Sequence, residues 1–460
     1  MAKSLKFYPF LILMTIMVSC KMGNKKSLSD KIDIPVNKEV MAKKVIRDFQ
    51  YAWQGYMKNA YGFDDLRPVS STGHNWYGRT FVMTPVDGFD TMVLMGLEKE
   101  AGEAKKLILD SLDFNRDIFV QNFEITIRLL GGLISAFQLD GDSVFLYKAI
   151  DLGNRLLPAF NSPTGMPYWG VNLATGEVKN PVSNPAEIGT LMLEFGTLSK
   201  LTGNPVYYEK AKKAVVALFN LRSPIGLVGD AINVETGTWI SLSSHLGGRI
   251  DSYYEYLLKS YLLFDDPEFK TMWQKSLRSI NKYLADSTSG GLWFGQSNAM
   301  TGDRTGTRFG ALEAFFPALL TLNGSMDEAA SLQESCYKMW TLYGIEPEQL
   351  DYTTMKVTSS GYILRPENIE SVYYLYHFTK DQKYLEMGKT YFESLEKYCK
   401  VEGGFTSLRS VITKEKGDDM ESFFLAETLK YLYLLFAPEE NINLNSIIFN
   451  TEAHPIRKTW

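Results

Sequence analysis

The stretch Leu201-Thr-Gly-Asn-Pro-Val-Tyr207 reads as the turn between two helices. Asn204 suits an N-cap, and Pro205 takes the first helical position, where its missing N–H costs least. Tyr207, three residues past the cap, can pack back on the preceding helix. The same signature stands at Leu139-Asp-Gly-Asp142 followed by Phe145, at Phe264-Asp-Asp266 followed by Phe269, and at Phe378-Thr-Lys-Asp381 followed by Tyr384. The caps at 142, 204 and 266 recur at an interval of 62 residues, so the chain repeats a helical hairpin. Such a unit cannot bury its apolar face alone, and a closed or superhelical array of pairs does so.

Outward from these turns, helical periodicity predicts fourteen helices, at 36–61, 87–98, 101–113, 123–139, 143–160, 186–201, 205–219, 249–263, 267–284, 308–322, 326–343, 367–378, 382–400 and 420–436. A kink at Gly102 separates the second from the third. The reading is all-α. Short connections alternate with long ones at 161–185, 223–246, 288–307, 344–366 and 401–419, which are turn-rich and have room for small β-hairpins. Long loops gathered at one end imply a working face there. No composition break divides the body, so residues 36–460 are expected to form a single domain.

The chain has 460 residues, 45% of them hydrophobic, which suffices for a large core. A formal charge of −5 without a basic block argues against a nucleic-acid partner. With 27 Phe, 26 Tyr and 8 Trp, ring-lined pockets for carbohydrate or apolar ligands are available. Residues 1–19 carry Lys3 and Lys6 ahead of an apolar run too short for a membrane span, as in a signal peptide. Met17-Val-Ser-Cys20 resembles a bacterial lipoprotein box, predicting cleavage before Cys20 and a lipid-modified cysteine. An ordinary secretory signal is the alternative, and exports the protein equally. Residues 20–35 read as a flexible tether, and Lys21 carries no inner-membrane retention signal of the Asp type. The expectation is an outer-membrane lipoprotein, periplasmic or surface facing, monomeric and without an implied protein partner. Cys336, Cys399 and the four histidines show no metal-site spacing.

Residues 121–137, QNFEITIRLLGGLISAF, put Glu124 and Arg128 one turn apart at the head of an apolar helix. A pair in such surroundings is either buried and structural or part of an active site. The pattern recurs where other helices follow long loops, in Arg249 and Asp251, in Arg365, Glu367 and Glu370, in Glu187 and Glu194, and in Glu421 and Glu427 around Phe423. One acid at a helix start is explained by the helix dipole. Packing gives no reason to repeat it on five helices, and if the inner helices form a ring these acids converge at its long-loop mouth. Like charges in one cavity spread their pKa values, as general acid and base chemistry requires. Phe423 is then either core filler or a floor for a sugar ring.

At these residues the chain resembles the class I alpha-mannosidases, glycoside hydrolase family 47. The resemblance is carried by Asp64-Asp-Leu-Arg-Pro68, Val86-Asp-Gly-Phe-Asp-Thr91, Phe123-Glu-Ile-Thr-Ile-Arg128, Pro163-Thr-Gly165, His245-Leu-Gly-Gly-Arg-Ile-Asp-Ser-Tyr-Tyr-Glu255, Leu364-Arg-Pro-Glu367, Glu421-Ser-Phe-Phe-Leu-Ala-Glu-Thr428 and Asn450-Thr-Glu-Ala-His454, in order from residue 36 to 454. It implies an (α/α)7 barrel with a C-terminal hairpin entering it, and inverting, exo-acting hydrolysis of terminal alpha-1,2-linked mannose from mannosides or high-mannose glycans. By the family pattern Glu124 is the general acid and Glu367 the general base, with Asp251 the other candidate for a proton-transfer role. Thr451 is implied as the Ca2+ ligand through its carbonyl and hydroxyl oxygens, with Glu187, Glu370, Glu427 and Glu452 around the ion and sugar. Arg128, Arg249, Arg365 and Phe423 join them as substrate-binding residues. Two departures stand out: Ala311 occupies the place of a family histidine that contacts the sugar, and Ala314 that of a cysteine, leaving Cys336 as a free thiol. Ala311 favours one rival reading, a non-catalytic mannose- or glycan-binding protein on the same barrel.

Overall fold

The computed structural model describes residues 35–460, and Val36–Trp460 form one compact unit. The proposed signal, Cys20 and all but the last residue of the proposed tether lie outside the described residues.

The body is an (α/α)7 barrel. Seven inner helical segments, Met83–Leu94, 122–140, 185–202, Asp251–Phe264, 312–323, Glu367–Thr379 and 424–436, each pack on the next. The last packs back on Met83–Leu94 and closes the ring. Among the described residues the outer seven are Glu98–Ser111, Ser143–Leu156, Val206–Asn220, Pro267–Tyr283, Met326–Thr341, Gln382–Tyr398 and, against 424–436, the first helix Lys38–Asn59. Inner helices are buried nearly all round, whereas outer ones such as Pro267–Tyr283 bury a stripe of Phe269, Met272, Trp273, Ser276 and Ile280 and show water a polar face.

The short turns are capped as their sequence requires. Asp142, Asp266 and Asp381 each accept from the backbone N–H two residues on at 3.0 Å, and Asn204 accepts from Val206 at 3.2 Å. Phe145, Tyr207, Phe269 and Tyr384 are all buried. The predicted kink at Gly102 is corrected: that residue lies within the helix Glu98–Ser111, and the break falls around Gly96, whose φ of +69° a side chain would strain. The helix expected from 308 starts only at Leu312, because Arg308–Gly310 is a strand. The segment expected at 186–201 is interrupted between Gly189 and Met192.

The long loops form small antiparallel sheets that link each loop to the next. Phe119–Gln121 pairs with Gly170–Asn172, Val182–Ser183 with Ala231–Asn233, Ser243–Ser244 with Gln296–Asn298, and Arg308–Gly310 with Gln349–Asp351. Bridges between Tyr362 and Leu408 and between Leu66 and Met420 continue this belt around the mouth.

The opposite end admits a hairpin of Ile447–Phe449 and Pro455–Arg457. Its base lies by the short turns, where Lys458 pairs with Asp265 and Trp460 stacks on Phe264. Its tip, 450–454, reaches the ring interior, with Asn450, Glu452 and His454 no more than 2% exposed.

Candidate active site

The mouth of the barrel opens into a cavity of about 380 Å³. Glu124, Asp251 and Glu367 line it together with Arg128, Glu187, Arg249, Arg365, Glu370, Phe423, Glu427, Thr451 and Glu452. Every residue singled out from the sequence for catalysis, sugar contact or metal ligation, distant along the chain, thus meets in one place. Glu194 does not. It sits beneath the cavity, accepting from Tyr256 Oη at 2.6 Å and from Asn450 Nδ2 at 2.8 Å. The break between Gly189 and Met192 takes it off the face of Glu187.

Local backbone geometry aims these side chains. Arg128 lies in a π-helical turn, Thr126–Leu130, and Glu427 in another, Phe424–Thr428, on either side of Met83–Leu94. Such turns insert a residue into a helix and rotate its N-terminal part against its C-terminal part. Arg249 and Leu364, at φ of +80° and +68°, bend the chain just before Asp251 and Glu367. Non-glycine residues in this region carry strain, which concentrates at functional sites.

The guanidinium of Arg128 organises one wall. Nε donates to Glu124 at 2.9 Å, Nη1 bonds Glu452, and Asp87 stands 3.6 Å away. Burial opposes its charge, and these carboxylates more than compensate, holding it protonated. On the opposite wall Arg365 Nη1 lies 3.7 Å from Glu367, while Nη2 donates to Glu348 at 2.9 Å. Between them Lys259 is buried against Glu255 and 3.7 Å from Glu370. Glu255 ends a segment that carries the family resemblance but has no role assigned from the sequence, although its place one turn after Asp251 on an apolar helix was the available signal.

Nine carboxyl groups line the cavity against three guanidiniums. Desolvation raises Glu367 to about 8, with Arg365 pulling the other way, and Glu187 to about 7, against hydrogen bonds from Gln121 and Asn184. Desolvation also raises Asp251 to about 6, opposed by the Ser252 N–H. Glu427 and Glu452 are pushed far up, by burial and then, for Glu427, by Glu452 and Glu367. One oxygen each of Glu187 and Glu367 is buried without a hydrogen-bond partner. Ala311 is wholly buried, and Leu312 and Phe315 line the cavity there, so no polar group from that position reaches it. Glu313 points away, accepting from Gly310 N at 3.1 Å. Cys336 and Cys399 are free, buried thiols.

Opposed carboxyls of unequal acidity around an open cavity define a site of the glycoside-hydrolase type. The sequence pattern of glycosyl hydrolase family 47 matches residues 48–458. Human ER degradation-enhancing alpha-mannosidase-like protein 2 is 39% identical over 445 residues, covering 89% of this chain and 76% of its own. An Arabidopsis thaliana mannosyl-oligosaccharide 1,2-alpha-mannosidase is 37% identical over 463 residues, covering 95% and 82%. The structure of the alpha-1,2-mannosidase from Trichoderma reesei superposes with a TM-score of 0.84 at 30% identity, covering 91% of this chain and 99% of that one. The chain belongs to glycosyl hydrolase family 47 and is a glycoside hydrolase, an alpha-mannosidase.

Proposed function

We propose that this enzyme removes terminal alpha-1,2-linked mannose from mannosides or high-mannose glycans, one residue at a time, with inversion and in dependence on Ca2+. The observation that carries this reading is the meeting of Glu124, Asp251, Glu367 and Thr451 in one cavity. The names of relatives that act on mannosyl-oligosaccharides support the substrate class. Glu124 gives its proton to the leaving glycosidic oxygen. Glu367 takes a proton from the water that attacks the anomeric carbon from the opposite face, and Asp251 is the alternative for one of these transfers. Inversion requires the two carboxyls to stand apart on either side of the sugar with room for that water. Arg128 holds Glu124 in place, Arg365 favours the ionised form of Glu367, and Phe423, on the cavity wall, offers a ring face to the sugar.

The residues present fit a hard cation. No hydrogen bond among the described residues occupies the carbonyl or hydroxyl oxygen of Thr451, and the surrounding cavity is strongly acidic. No group of three or more acidic, His or Cys side chains is arranged to hold a metal directly among the described residues, so Thr451 would supply the protein ligands and water and sugar hydroxyls the rest. When bound, Ca2+ would orient a vicinal diol and favour a distorted ring. Export is inferred from residues 1–20, with Cys20 as a lipid anchor, and is supported by relatives named for the endoplasmic reticulum. No helix among the described residues is long and apolar enough to cross a membrane.

The test is hydrolysis of a panel of mannobioses, with and without Ca2+, followed by NMR. The alpha-1,2 isomer should release beta-mannose first. Alpha-mannose as the first product, or preference for another linkage, would sink the corresponding part of the proposal.

A further inference from the structure

The tip of the C-terminal hairpin is held from below, in part by Glu194, Tyr256 and Lys430, which do not line the cavity. Asn450 uses its whole amide: Nδ2 donates to Ile127 O at 3.0 Å and Glu194 Oε1 at 2.8 Å, and Oδ1 accepts from Glu452 N at 3.0 Å and His454 N at 2.7 Å. Lys430 Nζ donates to Ala453 O at 2.6 Å. Thr451 itself is gripped by its backbone N–H, which donates to Tyr256 Oη at 3.3 Å. A tyrosine hydroxyl has one proton, and Tyr256 gives it to Glu194 Oε1 at 2.6 Å. Its lone pair therefore remains for Thr451, and the direction of every proton in this chain is set. Tyr256 is 1% exposed and lies five residues beyond Asp251 on the same helix. With its N–H so tied, Thr451 lines the cavity, and no hydrogen bond among the described residues engages its carbonyl or hydroxyl oxygen.

We propose that Tyr256 is a positioning residue for the metal: its hydroxyl, anchored by Glu194, fixes Thr451 and so sets the affinity for Ca2+ without touching ion or substrate. This rests on the reading of Thr451 as the metal ligand. Both ligand atoms belong to one residue, so a rotation of that residue moves both at once. Groups that orient metal ligands from behind commonly govern affinity in this way. Tyr256→Phe deletes one buried oxygen at nearly constant shape and leaves Thr451 N–H and Glu194 without that partner.

Chelator-treated enzyme titrated with CaCl2 in a calorimeter tests the proposal. Tyr256→Phe should raise the Kd for Ca2+ about tenfold, the scale of one buried hydrogen bond, and shrink the Ca2+-induced rise in Tm. Saturating Ca2+ should restore kcat to within about twofold, since no reacting group is altered. Tyr253→Phe, the same change three residues earlier at a hydroxyl without a hydrogen-bond partner, should leave the Kd unchanged. A purely structural role lowers Tm with and without metal alike and leaves the Kd where it was. A Kd for Tyr256→Phe within twofold of the parent overturns the proposal. Should that variant not fold, Glu194→Met, which removes the oxygen that receives the Tyr256 proton, carries the test under the same criterion. A parent enzyme that binds no Ca2+ removes the metal reading of Thr451 together with this inference, a result distinct from equal binding by parent and variant.

Discussion

Gly131 is an alpha-carbon with no room for anything more on the side of Asn450, where an added Cβ would stand 2.6 Å from Nδ2. At its neighbour Gly132 a Cβ would come within 2.8 Å of Val86 and 3.2 Å of His454. The glycine pair on the helix that carries Glu124 is therefore the slot that admits the C-terminal hairpin. Gly131→Ala should push Asn450 off Ile127 and Glu194, lowering stability by about 1–3 kcal/mol and activity with it. Gly102→Ala, in a helix interior with nothing within 4 Å, should instead stabilise by about 0.5–1 kcal/mol. Urea unfolding of both variants checks the pair, and equal effects would refute the slot.

Arg128 and Glu124 should separate stability from catalysis. Arg128→Met leaves Glu452 and Asp87 buried without that counter-charge, a loss on the order of 3–5 kcal/mol. Glu124→Gln keeps the shape and a hydrogen-bonding group beside Arg128, so its Tm should move little. Its kcat should fall about 10²–10⁴-fold, the range for a lost general acid. A variant retaining more than a tenth of the parent kcat on alpha-1,2-mannobiose would take Glu124 out of that role.

How much of this was legible depends on the range over which each signal acts. The helix pairs were readable because Asn204-Pro205 and Asp266-Pro267 announce helix starts locally, and the aromatic three residues past the cap announces packing. The convergence of acids was readable because Glu124, Asp251 and Glu367 break apolar helices that begin after long loops. The features that stayed hidden are tertiary. The π-turns at Arg128 and Glu427 leave no mark on periodicity, Glu194 looked equivalent to Glu187 until the helix between them broke, and strand pairing across the mouth joins residues of different loops such as Val120 and Val171. The room that Gly131 makes for Asn450 spans more than 300 positions and belongs to no local pattern.

The buried acids set the sign of the pH dependence of stability. Asp251, Glu187 and Glu367 are raised to about 6, 7 and 8 in the folded enzyme, above a value near 4 in the unfolded chain. A raised carboxyl contributes stability that is fully present below its unfolded pKa and is lost as pH rises through the folded one. His454, raised to about 9 chiefly by Asp90 against desolvation, acts in the same direction over a higher window. Chelated enzyme should therefore lose stability between pH 5 and about 9. Added Ca2+ should stabilise more at pH 8 than at pH 6, because ionised carboxyls favour the ion. Thermal unfolding across this range with and without chelator measures both, and a Tm that rises with pH in the chelated enzyme would contradict the burial of these groups as neutral acids.

Arg365 should shift the pH–rate profile. A general base works only when ionised, and Glu367 has its carboxylate favoured by the guanidinium 3.7 Å away against the desolvation that raises it to about 8. Arg365→Gln removes that favourable charge, so the Glu367 pKa rises further and the ascending limb of kcat/KM moves to higher pH, by about half a unit or more. The limb belongs to the coupled carboxyls of the cavity as a set, so the direction of movement, not its midpoint, is the diagnostic. Activity at high pH should recover toward the parent value if Arg365 acts through Glu367, whereas a loss that is uniform across pH would show that Arg365 serves the substrate alone. A limb that moves to lower pH, or that follows Asp251→Asn and not Glu367→Gln, would transfer the base role to Asp251.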